Sequence, residues 1–268
     1  GFAEPNSNAP APNRPSKRSA SNTAQLEREA IEITTASYYN QALWPEAIKS
    51  FEQALVWAAQ DNHKQLPTRW RLALAQSYRQ QADAQLMSED LAGARETLLR
   101  LSKRLPQSAL VPGALFDAGE LAAQQQQYPA AIANWSQLVK DYPQTEFSAK
   151  ALLKLARSHQ QLEQPLEAAS WLQQALAASK DGKGPIPAQQ RAALTFETAQ
   201  LWQQAGKPAF AKALLQHLLA TEPVQSELWS QTATALVALS STNATSTLAL
   251  QNQITTTLAR HFEGLSPV

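Results

Sequence analysis

With no cysteine in the chain, metal ligation and acid/base chemistry would fall chiefly to its histidines and carboxylates. A disulfide frame, a thiol nucleophile and a thiolate metal site are excluded from the start. The four histidines are His63, His159, His217 and His261. None stands four residues from another and no HExxH occurs, so the spacing that sets two ligands on one helix face is missing. GxSxG, P-loop and GxGxxG motifs are also missing. The Gly-Lys-Gly at 182–184 has no strand before it and no Lys-Ser/Thr after it, so it reads as loop. Asp and Glu residues are scattered over helix faces, the pattern of solvation and not of an acid/base pair. Arg95, Arg100, Lys103 and Arg104 gather near one helix C-terminus. Cations there interact favourably with the helix dipole; a contact for an acidic partner is the competing reading. The expectation is a protein with no catalytic residue, no cofactor and no metal.

The elements that would carry these residues are helices. The 268 residues hold only 8 glycines and are 44% hydrophobic, with alanine, leucine and glutamine prominent. Those are good helix formers, so an all-α chain is expected. A net charge of +1 gives no electrostatic commitment to nucleic acid. No apolar window is long enough to span a membrane. Gly1 in place of Met points to a processed or trimmed product, leaving an upstream anchor or export signal as an expectation. Residues 1–23, rich in Pro, Asn, Ser and Ala, cannot bury enough surface to offset chain entropy and read as a disordered tether. A repeat array over 24–223 and capping helices over 224–268 complete the expected organisation. Sequons occur at Asn134 and Asn243, but Asn134 stands beside a core tryptophan, where a glycan has no room.

The clearest segment is Tyr128 to Pro143, YPAAIANWSQLVKDYP. Ala131, Trp135 and Leu138 fall at i, i+4 and i+7 on one helix face, and a proline sits at each end. Versions of it recur. The Ala-x3-bulky feature appears five times, as Ala47/Phe51, Ala94/Leu98, Ala131/Trp135, Ala168/Leu172 and Ala211/Leu215. The spacings are 47, 37, 37 and 43, the longer ones absorbing extra residues near 61–69 and 179–187. Twelve residues before each alanine stand Thr35, Ala82, Gly119, Ala156 and Ala199, all small. Three before it stand Trp44, Leu91, Tyr128, Pro165 and Pro208. Twelve after it stand Pro106, Pro143 and Pro223 in three copies, each preceded five residues earlier by Leu101, Leu138 or Leu218. Each unit is then a helix pair. Helix A carries the small residue and helix B the Ala-x3-bulky face. The predicted pairs are 25–41 with 45–60, 68–87 with 90–104, 109–126 with 129–141, 146–162 with 165–179, and 188–205 with 208–221. A sixth pair, 225–239 with 245–262, lacks the signature and reads as the C-terminal cap, with 240–247 supplying N-cap residues for its second helix.

This register resembles the tetratricopeptide repeat, whose bulky, small, aromatic, small, bulky and proline positions stand in the third copy as Leu115, Gly119, Tyr128, Ala131, Trp135 and Pro143. The resemblance covers about residues 25 to 223. The period of 37 in place of 34, and leucine seven after the alanine in three copies, depart from the family pattern. With KRLPQS at 103–108 and KDYPQT at 140–145, those departures are similar to bacterial envelope repeats of the Tol–Pal-associated periplasmic and β-barrel-assembly lipoprotein type. The resemblance implies an α-solenoid of about five helix pairs and an exported, periplasmic scaffold; a cytoplasmic location stays open.

In the family, the ligand-facing positions lie on helix A, three before and one and four after the small residue. They fall here on Phe116, Glu120 and Ala123, on Leu153, Arg157 and Gln160, and on Phe196, Gln200 and Gln203. The second copy gives Arg79, Asp83 and Leu86, the first Glu32, Ala36 and Tyr39. Aromatics mixed with amides suit an extended peptide or a partner helix. Phe116 and Phe196 could equally be ordinary core residues. The Lys and Asn arrangement of the carboxylate clamp is missing. The functional expectation is a non-enzymatic scaffold with a protein or peptide partner. A recruitment domain cut from a larger enzyme or secretion machine is the alternative. The oligomeric state is open.

Overall fold

The computed structural model describes residues 17–60, 67–179, 184–240 and 244–263, and every regular element among them is an α-helix. The first five are α1 (Lys17–Asn40), α2 (Trp44–Gln60), α3 (Pro67–Met87), α4 (Leu91–Arg104) and α5 (Val111–Gln124). Then come α6 (Tyr128–Asp141), α7 (Glu146–Gln161), α8 (Pro165–Ala178) and α9 (Ala188–Gln204). The chain closes with α10 (Pro208–Thr221), α11 (Glu227–Ser240) and α12 (Ala244–Glu263). These bounds follow the predicted pairs closely, with one exception. Helix α1 opens at Lys17, eight residues before the predicted start at 25, because nothing beyond Pro15 forbids helix in KRSASNTA. The tether reading is thereby confined to residues 1–16, which lie outside the described residues. So do 241–243, where the cap for α12 was expected.

Two compact units divide the chain, Gly1–Ala84 and Gln85–Val268. In the first, α1 packs on α2. Ala47 and Ala54 are fully buried there and Phe51 is nearly so. Thr35, the small residue of the first copy, is buried and shares a 2.7 Å hydroxyl hydrogen bond with Ser50 of α2. In the second unit each helix from α4 to α12 packs on the next, and α5 also packs on α7 and α9 on α11. That is the contact pattern of stacked antiparallel pairs, an α-helical repeat array.

The register accounts for the core. All five signature alanines have no exposed surface, and the bulky partners Phe51, Leu98, Trp135, Leu172 and Leu215 are at most 5% exposed. Leu101, Leu138 and Leu218 are buried too, and the backbone carbonyl of each accepts from the N–H four residues on, closing the end of helix B. The reason for a small residue on helix A is clearest in the third copy. A Cβ added to Gly119 would lie 2.2 Å from Trp135 Nε1. That ring is 1% exposed and its N–H donates to the Phe116 carbonyl at 3.1 Å.

Helix A turns into helix B by one repeated device. Ala42, Glu89, Gln126, Glu163 and Gly206 stand five residues before the signature alanines, and all have positive φ, between 54° and 69°. Around each, the next residue's N–H reaches the carbonyl five back, as in Gln127 to Ala122, Gln164 to His159 and Lys207 to Trp202. This is the Schellman ending of a helix. Only the last copy uses the glycine that this backbone favours. Helix B then starts with proline in its first turn in α2, α6, α8 and α10. The turns from B to the next A are tied by Thr145, which caps α7 by accepting from Ser148 N–H at 3.2 Å. Tyr142 adds a link by donating to the Pro106 carbonyl of the preceding turn at 2.6 Å.

Candidate functional site

Residues at the predicted helix A positions fall into two groups, one in each unit. In the first unit Tyr39 is half-buried, edge-on to Trp44 with ring centroids 5.5 Å apart, and donates to Gln76 Oε1 at 3.1 Å. Together with Glu32, Ala36, Phe51 and Trp70 it lines a cleft of about 280 Å³. Arg69 stands 3.8 Å from Glu32 at its edge. Arg79 pairs with Asp83 one turn along α3 at 3.2 Å.

In the second unit the charged positions pair with the next helix A. Glu120 of α5 accepts from Lys154 Nζ of α7 at 2.9 Å. Arg157 of α7 forks onto Glu197 of α9, with Nη2 to Oε2 at 3.1 Å and Nη1 on Oε1. Gln160 completes the second cluster by donating to Glu197 Oε1 at 2.7 Å while accepting from Arg157 at 2.7 Å. Both pairs join the residue one after a small position to the residue two before the next small position. Lys154 and Glu197 were not among the sequence candidates. Opposite charges at those two fixed offsets in successive copies are the signal that could have found them.

The apolar positions lean on the core. Phe116 packs its ring on Phe147 with centroids 5.8 Å apart, and Leu153 and Phe196 pack half-buried against the cluster around Leu172, Ala199 and Leu201. Gln200 and Gln203 remain exposed on α9.

An open cleft also lies in this unit. The backbones of α7 and α9 approach less closely than those of α5 and α7. The inserted residues before α9 accompany this change. Ile186 is buried against Leu152 and Ala175, its N–H donating to Ser179 Oγ at 3.1 Å. Between α7, its closing turn and α9 lies a cleft of about 450 Å³. Gln160, Gln164, Gln200 and Gln204 line it with Glu163 and Glu197, over Leu201 and Pro165. Of the sequence candidates, Gln160 and Gln200 belong to this cleft, whereas Gln203 does not. Gln164, Gln204 and Glu163 were missed. Such a lining offers donors and acceptors for a polar chain, with no nucleophile placed beside a base.

Among the described residues no group of three or more potential metal ligands gathers, and no helix is long and apolar enough to cross a membrane. His63 lies outside the described residues, and His261 is described only by its place in α12. Asn134 is buried with its Nδ2, the atom that would carry a glycan, unpartnered and shielded. The loop reading at 182–183 and the sequon at Asn243 fall outside the described residues.

The sequence matches no protein-family model and no curated protein. Similar solved structures share low sequence identity with this chain. A kinesin light chain variant from Podosopora anserina with nearly identical TPR-like repeats is 19% identical, over 74% of this chain and 94% of that one, with a TM-score of 0.40. BtubC from P. vanneervenii is 17% identical over 89% and 94%, TM-score 0.41. PilW, a type IV pilus biogenesis factor, is 16% identical over 80% and 89%, TM-score 0.39.

Proposed function

We propose that this chain is a non-enzymatic interaction scaffold that holds a partner protein or peptide against its helix A face, within an exported assembly of a bacterial envelope. The observation that carries the reading is how the second unit spends its polar groups. The charges at its predicted ligand-facing positions, Glu120 and Arg157, are held in the pairs Glu120–Lys154 and Arg157–Glu197, while the amides of Gln200 and Gln204 stay open in a cleft. Buried or paired polar groups hold a fold together; uncommitted ones in a concave site are what a partner can use. The missing cysteines and the Pro/Asn/Ser-rich start suit an oxidising compartment and a tethered domain.

Affinity purification of the full chain from its native cells tests the scaffold. A discrete partner should co-purify with the wild type and be lost with Gln200→Ala/Gln204→Ala at unchanged chain abundance. Equal recovery by both chains contradicts the placement of the surface, and recovery of nothing contradicts the scaffold. Fractionation of the same cells tests the compartment, where a cytoplasmic chain overturns export.

A further inference from the structure

The charge balance of the α7–α9 cleft selects a class of occupant. Glu197 adds no net charge, because the Arg157 guanidinium is forked onto it. Glu163 is different. It sits exposed on the turn at φ 54° and makes no ion pair among the described residues. Lys154, the other nearby cation on α7, is held by Glu120. An anionic occupant would therefore meet an uncompensated carboxylate in a lining that holds no cation among the described residues. The walls answer a different demand. Gln200 and Gln204 stand one turn apart on α9 and bond to no protein group among the described residues. From across the cleft Gln164 presents its amide, oriented by His159 Nδ1 at 2.7 Å from its oxygen. Primary amides offer both donors and an acceptor, the alternation that an extended main chain presents along its edge.

We infer that the cleft takes an extended peptide segment bearing a lysine or arginine, its main chain on Gln200 and Gln204 and its cationic side chain at Glu163. This rests on the reading of the helix A face as the partner surface. A void of about 450 Å³ is in the range of sites for small ligands, enough for a few residues of such a segment.

Fluorescence anisotropy of the full chain with three labelled peptides, alternating Ala-Lys, Ala-Gln and Ala-Glu, tests it. The Ala-Lys peptide should bind about tenfold tighter than Ala-Glu at low salt, a preference that falls as salt is raised. Glu163→Gln should erase most of that preference, whereas Gln200→Ala/Gln204→Ala should weaken all three alike. Equal affinities, a preference for Ala-Glu, a preference untouched by Glu163→Gln, or binding of none of the three would each overturn the inference. The scaffold itself fails separately, only if the native partner is also not recovered. A circular dichroism melt of each variant confirms that the fold is intact.

Discussion

At the scale of single residues, Trp135 decides most. Its ring is buried, its N–H is bonded to the Phe116 carbonyl, and Gly119 leaves it room. Trp135→Ala should cost about 3–5 kcal/mol in chemical denaturation. Gly119→Ala should also destabilise, since its new methyl overlaps the ring; a neutral effect would mean that helices α5 and α6 part easily. Tyr142 gives a pH signature. Burial first, and the Asp141 carboxylate second, hold its phenol above the ordinary value of 10.0. A raised folded value means stability present in full below the unfolded value and lost as pH climbs through the folded one. Melting followed from pH 9 upward should show an alkaline loss that Tyr142→Phe reduces. The core roles of Trp135 and Gly119 were legible in the sequence, because packing a ring between two helices restricts which residue types can stand opposite it; the Tyr142 bond was not. The partners of Glu120 and Arg157 were not legible in the same way. An ion pair between neighbouring repeats depends on how far apart two helices stand, and no residue type encodes that distance.

Among elements, the αL turn is the informative feature. Four of the five A-to-B turns place an ordinary L-residue at positive φ, which costs about 1–2 kcal/mol against the right-handed region. Glycine relieves that strain but gives back some through unfolded-chain entropy. Gln126→Gly should therefore stabilise by up to about 1 kcal/mol, read from the denaturation midpoint. Gly206→Ala should destabilise by about as much, purely through its backbone, since nothing lies within 4 Å of the position a Cβ would take. The opposite signs would mean that tertiary packing, not local conformation, sets these turns. The sequence hid the shared turn because glycine marks only one of its five copies. Helix bounds were far more legible, since first-turn prolines and the Thr145 cap punctuate them directly.

For the molecule as a whole, stability and recognition rest on different residues. Stacked pairs draw stability from neighbour contacts, here through alanines, leucines and Trp135. The ion pairs on the helix A face add little to that. Arg157 is half exposed, and a double-mutant cycle of Arg157→Ala with Glu197→Ala should give a coupling of no more than about 1 kcal/mol. A much larger coupling would make the pair a structural tie and not a means of silencing charge beside the cleft. The cleft itself was only half legible. Counting from Ala156 and Ala199 reached Gln160 and Gln200. The opening between α7 and α9 arises from backbone separation, which the inserted residues at 179–187 hinted at without specifying. The proposed partner face is this opening, and not the outer helix B surface. Photo-crosslinking in native cells separates the two, with a benzophenone side chain at position 200 of the cleft or at exposed Gln137 on α6. One discrete adduct from position 200 and none from 137 is the predicted result; the same partner captured from 137 alone would contradict it.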